Sequence, residues 1–330
     1  MMHHSTIAGL GHYIPERKVT NSDLEKMMET TDEWIVERTG INSRHWANLD
    51  TDSTSNMGTK AALMALENAK LTPSDGEFII FCTLSPDYNF PGGGVMVREQ
   101  LGIGTIGALD IRNQCSGFLY GISVADQFIK SGMYKTVLVI GSEIHSSGLD
   151  ISTRGRNVAV IFGDGAGAAV LTATDQKDTG ILSTHLHSQG KYAEDLMVIE
   201  PSSTSTKRTE FNPERIYPIM NGSAVFKHAV TRFPEVLMEA LLKNGYTPSD
   251  LTLLIPHQAN LRISQFIQKT MKLRDDQVYN NIMNYGNTTA ASVPIALSEA
   301  FQKGKIKKGD LICLAAFGSG FTWASALIRW

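Results

Sequence analysis

The chain repeats part of its own sequence at an offset of 175 residues, as from Thr72 to Thr247. The segment "ALMALENAKLTPSDGEFIIFCT" at 62–83 returns as "LMEALLKNGYTPSDLTLLIPHQ" at 237–258. The same offset roughly superposes "YKTVLVIGSE" on "GDLICLAAFGSG" nearer the end of the chain. Because two separate stretches agree on one offset, and only two copies are present, the pattern indicates a duplicated unit and not a solenoid.

Within each copy, helical periodicity alternates with short, continuous apolar runs. This alternation is typical of buried strands covered by helices on both faces, so we predict a doubly wound α/β sheet that is built twice. The polar, turn-rich segment "TATDQKDTG" at 172–180 marks the predicted join. We therefore predict two α/β halves, residues 1–172 and residues 173–330.

Composition limits the class of protein. The chain has 330 residues, 42% of them hydrophobic, and a formal net charge of −3, which argues against binding to nucleic acid or to an anionic membrane. Its longest apolar runs are too short to span a bilayer and its first residues lack a signal-peptide pattern, so we expect a cytoplasmic protein. Cys82, Cys115 and Cys313 are odd in number and lie far apart, which favours free thiols over disulfides or a metal site.

Cys115 stands between the strand-like run "GALDIR" and an apolar pattern of helical spacing that begins at Phe118. It would therefore lie at the N-terminus of a buried helix. The partial positive charge there would lower the thiol pKa, and the unpaired N–H groups could bind an oxyanion. The alternative is a small buried residue that packs a tight turn.

His257 and Asn287 occupy positions comparable to that of Cys115, because each lies just before a predicted helix. His257 follows the apolar run "LTLLIP" and precedes a helix that Asn260 could cap, and Asn287 lies in "NYGNTTAASVPIAL" just before another helix. Each could be purely structural. In doubly wound sheets, however, chemistry gathers outside the carboxyl ends of the strands. Together with Cys115 they form a Cys, His and Asn set that suits thioester chemistry.

Five motifs also resemble a known family: "QCSGF", "FGDGAGAAVL", "PHQANLRI", "NYGNTTAASVPIAL" and "AFGSGFTWASALI". They are similar to the signatures of β-ketoacyl-acyl carrier protein synthase III, the condensing enzymes that initiate bacterial fatty acid synthesis. The resemblance runs from "TDEWIVERTGI" near residue 31 to the C-terminus. It implies a thiolase-like fold, in which two duplicated α/β halves form a layered αβαβα core.

The resemblance implies a catalytic role for each of these residues. Cys115 would take an acyl group from acyl-CoA, and a carbanion made by decarboxylating malonyl-acyl carrier protein would attack the acyl-enzyme. His257 and Asn287 would donate hydrogen bonds to the malonyl thioester oxygen. The backbone N–H groups of Cys115 and Ser319 would hold the oxyanion of the tetrahedral intermediates. No metal or redox cofactor is implied.

The resemblance also implies binding residues. Trp34 and Arg38 are four apart on a predicted helix and would share a face suited to adenine and phosphate, although a surface pair that supports itself is the alternative. The implied CoA-binding residues are Trp34, Arg38, Arg156 and Asn260.

The family's carrier-protein docking surface would include Lys227 and Arg262, which could otherwise be a solvated basic helix face. Phe90 would enter the acyl pocket of the partner subunit in a homodimer.

Three departures from the family pattern leave the starter acyl chain open. Asn113 and Gln114 precede Cys115 where small residues are common, Ser319 stands where glycine is frequent, and "SPDYNFPGGGVMV" is distinctive. A related condensing enzyme of a specialised pathway that uses longer or unusual acyl chains is therefore the main alternative. More distant alternatives are a Cys-His acyl hydrolase or acyltransferase, and a non-catalytic acyl-CoA-binding protein.

Overall fold

The computed structural model describes residues 4–176, 178–203 and 212–330, and strands alternate with helices along these ranges. The strands are β1 (His4–Tyr13), β2 (Arg17–Thr20), β3 (Ser43–Trp46), β4 (Phe78–Cys82), β5 (Gly107–Ile111), β6 (Thr136–Glu143), β7 (Gly165–Thr174), β8 (Gly180–Ser188), β9 (Leu196–Met197), β10 (Ile219–Met220), β11 (Leu253–Pro256), β12 (Leu311–Gly318) and β13 (Thr322–Arg329). The helices are α1 (Asn21–Glu25), α2 (Asp32–Thr39), α3 (Thr54–Asn68), α4 (Gly93–Gln100), α5 (Gly117–Lys130), α6 (Arg156–Ala159), α7 (Pro213–Ile216), α8 (Gly222–Lys243), α9 (Leu261–Met271), α10 (Ile282–Tyr285) and α11 (Ser292–Gln302).

Two sheets carry the fold, and their strands follow the same order. The first runs β1-β7-β6-β4-β5, and the second runs β8-β13-β12-β11 when it is taken from the equivalent edge. The equivalent pairs β4 with β6 and β11 with β12 are parallel. The next strands, β7 and β1 in the first sheet and β13 and β8 in the second, are added antiparallel. An isolated parallel bridge from Leu254 to Val278 occupies the place that β5 fills in the first sheet.

The elements stack in five layers. Helices α5 and α11 lie between the two sheets and contact both, while α3 covers the outer face of the first sheet and α8 covers the outer face of the second. The central core joins Phe118 and Ile122 of α5 to Val293 and Leu297 of α11, all of them buried. This arrangement confirms the predicted layered αβαβα core. The chain passes from one sheet to the other between Thr174 and Gly180, so the predicted boundary after residue 172 falls within β7.

Local hydrogen bonds explain why the offset is visible in the sequence. In both copies of Thr-Pro-Ser-Asp, the Asp carboxylate accepts from the Thr backbone N–H and hydroxyl, at 2.7 and 2.7 Å for Asp75 and at 2.8 and 2.7 Å for Asp250. Each capping box forms a one-turn 3-10 helix that leads into a buried strand. The motif therefore sets the entry to β4 and to β11 in the same way.

The two central helices are also equivalent by the offset. Each is preceded by a one-turn 3-10 helix, residues 114–116 before α5 and residues 289–291 before α11. The first residue of each turn is left-handed, with φ of 43° at Gln114 and 49° at Thr289. Cys115 in the first half thus occupies the place of Ala290 in the second.

The glycines of "GDGAGAAVL" serve backbone packing. A Cβ placed on Gly167 of β7 would lie 2.7 Å from the backbone nitrogen of Ile295, so only glycine lets α11 approach this strand. Among the described residues, no helix is both long and apolar enough to cross a membrane.

Candidate active site

One cavity of about 130 Å³ is lined by Cys115, His257 and Asn287 together. Their exposed fractions are 8%, 3% and 6%, so all three are buried. The other side chains that line the cavity are mostly apolar and include Phe162, Leu196, Met220, Phe226, Ile263 and Phe317. The predicted Cys, His and Asn set therefore shares one small, largely dry site, and the roles of its members stay predictions.

Cys115 lies on the 3-10 turn that leads into α5, directly against the end of β12. A Cβ placed on Gly318 would lie 2.5 Å from the Cβ of Cys115 and 2.7 Å from its Sγ, so the close approach requires glycine. The backbone N–H groups of Ser319 and of Cys115 itself lie near the sulfur and act to lower the pKa of the thiol. These are the two groups predicted to hold the oxyanion.

The pKa of the Cys115 thiol differs from the sequence-based expectation. Burial and, to a smaller extent, the nearby carboxylate of Glu143 raise this pKa to about 12, although the N–H groups of Ser319 and Cys115 act to lower it. The N–H groups at the helix start lower the pKa of the thiol as predicted, but the predicted net lowering is wrong because the loss of water around the sulfur outweighs these groups. The resting thiol is protonated at neutral pH.

Glu143 itself is buried behind the thiol. Its carboxylate accepts from the hydroxyls of Ser85 at 2.5 Å and Thr83 at 3.1 Å and from the Leu84 N–H at 3.2 Å. Burial nevertheless raises the pKa of Glu143 to about 7. Part of the Glu143 population is therefore neutral near pH 7, which limits its repulsion of a thiolate.

His257 follows β11, and its backbone N–H donates to the Ala315 carbonyl at 2.8 Å. Its Nδ1 lies 2.5 Å from the Ser292 hydroxyl, which also accepts the Gln258 N–H at 3.4 Å. Within the described ranges, Nδ1 is the one acceptor for the Ser292 hydroxyl hydrogen, so the hydrogen-bond network assigns the imidazole hydrogen to Nε2.

The Nε2 atom of His257 is buried and, among the described residues, has no hydrogen-bond partner. Burial and, to a smaller extent, the neighbouring His145 lower the pKa of His257 to about 3. The imidazole is therefore neutral at physiological pH. It presents an unpaired N–H donor at the cavity, and a neutral imidazole in this tautomer cannot act as a base through Nε2.

Asn287 supplies a second donor. Its Oδ1 accepts the Thr289 N–H at 2.8 Å, which leaves the Nδ2 hydrogens as the amide's free donors at the cavity. Thr289 is held in turn by His145, whose Nε2 lies 2.7 Å from the Thr289 hydroxyl oxygen. The site thus contains two backbone donors at the thiol and two side-chain donors beside it.

The predicted CoA residues form an aromatic and cationic cluster. The Arg38 guanidinium lies 4.5 Å from the ring centre of Trp34 on α2, and the Arg156 guanidinium lies 4.8 Å from it. Arg156 also donates to the Glu29 carbonyl at 2.6 Å. The helical spacing correctly predicted that Trp34 and Arg38 share a face, and their role in CoA binding stays a prediction.

Asn260 has a structural role that the sequence indicated and one that it did not. Its Oδ1 caps α9 by accepting the Arg262 N–H at 2.9 Å, and its Nδ2 donates to the Arg38 carbonyl at 2.9 Å. The side chain therefore ties α2 to α9 at the cavity, which it also lines. Contact with a pantetheine arm stays a prediction.

The other predicted binding residues lie at the surface. Lys227 on α8 and Arg262 on α9 are both exposed. The two helices are joined by Phe226 and Phe266, whose ring centres are 6.4 Å apart, and Phe226 lines the cavity. Lys227 directly follows Phe226 in the chain and Arg262 directly precedes Ile263, and both of these neighbours line the cavity. Phe90 is 87% exposed in the loop before α4 and does not line its own chain's cavity.

Ser292 and Thr289 were not predicted as site residues, although both lie in the motif "NYGNTTAASVPIAL". No local pattern shows that the Ser292 hydroxyl reaches His257, which is 35 residues earlier in the chain. Within the part of the chain that the structure describes, no group of three or more His, Cys, Asp or Glu residues could hold a metal ion.

Comparisons with known proteins show the family to which the chain belongs. Family models described as 3-oxoacyl-[acyl-carrier-protein] synthase III and its C-terminal part match residues 109–190 and 241–330. A relative from Caldanaerobacter subterraneus subsp. tengcongensis, named beta-ketoacyl-[acyl-carrier-protein] synthase III, is 46% identical over 325 residues, which cover 98% of this chain and 97% of the relative.

Solved structures match the fold of the chain over nearly its whole length. The 3-oxoacyl-[acyl-carrier-protein] synthase III of Aquifex aeolicus VF5 matches with a TM-score of 0.92 and 42% identity, over 99% of this chain and 100% of that chain. The priming β-ketosynthase of the R1128 polyketide pathway matches with a TM-score of 0.92 and 31% identity, over 99% of this chain and 96% of that chain. The chain therefore belongs to the 3-oxoacyl-[acyl-carrier-protein] synthase III family.

Proposed function

We propose that the chain catalyses the decarboxylative Claisen condensation of an acyl-CoA starter with malonyl-acyl carrier protein. The products are 3-oxoacyl-acyl carrier protein, CoA and CO2, and the reaction initiates fatty acid synthesis. One observation carries the proposal: a buried thiol under two backbone N–H donors shares a small apolar cavity with the unpaired Nε2–H of His257 and the Nδ2 amide of Asn287.

In the first step, the Cys115 sulfur attacks the acyl-CoA carbonyl. The bond from the acyl carbon to the CoA sulfur breaks, a new thioester forms on Cys115, and the thiol proton passes to CoA. The N–H groups of Cys115 and Ser319 stabilise the oxyanion of the tetrahedral intermediate. Donors that are fixed in a dry site are each worth about 3 to 4 kcal/mol in such a step.

In the second step, the malonyl group loses CO2. The electron pair of the broken carbon-carbon bond moves into an enolate, and negative charge develops on the thioester oxygen. His257 Nε2–H and Asn287 Nδ2–H donate to this oxygen. Because His257 is neutral, with its pKa lowered to about 3, it donates without giving up its proton to the enolate.

In the third step, the enolate carbon attacks the acyl carbon on Cys115. The sulfur leaves as a thiolate, which takes a proton from solvent, and the 3-oxoacyl chain remains on the carrier protein. The apolar cavity limits water near the enolate, so that carbon-carbon bond formation competes with simple protonation.

The surface clusters provide the two substrate contacts in this proposal. The Trp34 ring and the cations of Arg38 and Arg156 suit an adenine and its phosphates. Lys227 and Arg262 are exposed next to cavity-lining residues of the chain and suit an acidic carrier protein that delivers its thioester arm.

We also propose a cytoplasmic homodimer. Phe90 and Tyr88 are 87% and 57% exposed, which is unusual for adjacent aromatic side chains on a monomer. β5 is the edge of the first sheet, and its Leu109 is 38% exposed. A second copy that pairs along β5 would cover this unprotected edge and bring Phe90 toward the partner's cavity.

A second candidate is a condensing enzyme of a specialised pathway, which uses the same chemistry with a longer or unusual starter. The likeness to the priming β-ketosynthase favours it. The two candidates differ only in the starter chain and in the fate of the product.

The test is to incubate the protein with a panel of acyl-CoA thioesters and malonyl-acyl carrier protein, and to identify products by mass. We expect an acyl-enzyme on Cys115, release of CO2 and a 3-oxoacyl product, all lost in Cys115→Ala. Free fatty acid without CO2 release would instead indicate a hydrolase. The absence of any acyl-enzyme would indicate a binding protein.

A further inference from the structure

The backbone N–H and the side-chain hydroxyl of Ser319 contact two different parts of the site. Its backbone N–H lies near the Cys115 sulfur, while its hydroxyl donates to the Leu196 carbonyl at 2.5 Å. The two residues are 123 positions apart, and Ser319 lies in the turn between β12 and β13. A glycine at this position would keep the N–H donor and lose the bond to Leu196.

Leu196 belongs to the wall of the cavity. It pairs with Met220 in the two-stranded β9–β10 sheet, and both side chains line the cavity beside Cys115. The Ser319 hydroxyl therefore fixes the backbone of the wall relative to the turn that carries the oxyanion donor. At about 130 Å³ the cavity holds roughly the volume of four water molecules, so the position of one wall matters for an acyl chain.

The rest of the wall segment is anchored elsewhere. Gln189 and Phe321 exchange two backbone hydrogen bonds, at 2.7 and 2.9 Å, and the Tyr192 ring stacks on Phe321 with centres 5.8 Å apart. These contacts hold the segment before Leu196. Loss of the Ser319 hydroxyl would therefore loosen the wall at Leu196 without releasing the whole segment.

We propose that Ser319 is a positioning residue whose hydroxyl determines which acyl-CoA starters the protein prefers. By holding Leu196 against the cavity, it favours short acyl groups and opposes longer ones. This inference rests on the proposed condensing function and deepens it. An acyl chain longer than the cavity must displace the apolar wall formed by Leu196. The wall resists this displacement more when the Ser319 hydroxyl bonds it to the turn between β12 and β13 than when that bond is absent.

The experiment measures kcat/KM for acetyl-, butyryl-, hexanoyl- and octanoyl-CoA at a fixed concentration of malonyl-acyl carrier protein. In Ser319→Ala we expect the hexanoyl-to-acetyl ratio to rise by roughly two- to tenfold, the range that the loss of one hydrogen bond produces. Ser319→Thr keeps a hydroxyl and should stay near the parent ratio. Leu196→Ala removes most of the side chain that forms this wall and should also raise the hexanoyl-to-acetyl ratio.

Ser325→Ala is the matched control. The Ser325 hydroxyl is also buried and donates to a backbone carbonyl, that of Val236 at 3.0 Å, but Ser325 does not line the cavity. It should lower the melting temperature and leave the ratio unchanged. An unchanged ratio in folded Ser319→Ala would overturn the inference, as would an equal shift in Ser325→Ala. If Ser319→Ala does not fold, an unchanged ratio in Leu196→Ala overturns it. Failure of the parent protein to load any acyl group would instead reject the proposed function.

Discussion

Replacing Ser292 with alanine should slow condensation while leaving acylation of Cys115 nearly intact. The Ser292 hydroxyl lies 2.5 Å from Nδ1 of His257, and this contact assigns the hydrogen to Nε2, where the enolate oxygen is stabilised. Without the hydroxyl, the tautomer with hydrogen on Nδ1 competes. A net hydrogen bond is worth about 0.5 to 1.5 kcal/mol, which changes the tautomer ratio by roughly 2- to 12-fold.

The condensation rate should therefore fall by less than about sevenfold, a smaller loss than deleting His257 itself would cause. The free energy of unfolding should also fall by about 1 to 3 kcal/mol, because Nδ1 is left buried and unpaired. Rapid-quench mass spectrometry of the acyl-enzyme, beside release of labelled CO2, separates the two steps.

Ser298→Ala provides the control, because it removes a second buried serine of α11 that contacts a histidine. The Ser298 hydroxyl oxygen lies 2.9 Å from Nδ1 of His12, and neither residue lines the cavity. This variant should lose stability without separating the two steps. Equal losses of acylation and condensation in Ser292→Ala, or the same separation in Ser298→Ala, would refute the reasoning.

Three further predictions follow from the charges at the site. Because burial raises the pKa of Cys115 to about 12, its alkylation by a small reagent should accelerate roughly tenfold per pH unit from pH 7 to 9, and a plateau below pH 8 would contradict this. Arg38→Ala and Arg156→Ala should lower kcat/KM for CoA thioesters roughly tenfold but spare simple pantetheine thioesters, which lack the nucleotide, and equal losses on both substrates would place these arginines in another role. Lys227→Glu and Arg262→Glu should raise KM for malonyl-acyl carrier protein by about tenfold and weaken its salt dependence, and an equal effect on malonyl-CoA would argue against a docking surface.

The duplicated architecture was predictable because its signals are local. Thr72 with Asp75, and Thr247 with Asp250, form capping boxes within four residues, so each leaves a readable motif in the sequence. Helical periodicity likewise located the buried helix that begins at Gly117. The residues that follow equivalent buried strands could therefore be compared between the two copies from the sequence alone.

The energetics of the site depended on contacts that no local pattern contains. The pKa of Cys115 was predicted from its helix alone, but burial and Glu143 on a neighbouring strand reverse the direction of the shift. The bonds from Ser292 to His257 and from Ser319 to Leu196 join segments that are 35 and 123 residues apart. Such pairings become visible only when the sheets bring those segments together.

The most direct test of the central claim is the acylation state of His257→Ala and Asn287→Ala. If these side chains stabilise the malonyl-derived enolate, both variants should still form an acyl-enzyme on Cys115, and it should persist. Release of CO2 and formation of the 3-oxoacyl product should fall together by roughly a hundredfold or more. Rapid-quench mass spectrometry beside labelled CO2 release measures all three quantities. An acylation defect in His257→Ala as large as its decarboxylation defect would contradict the account, because His257 would then act as the base for Cys115.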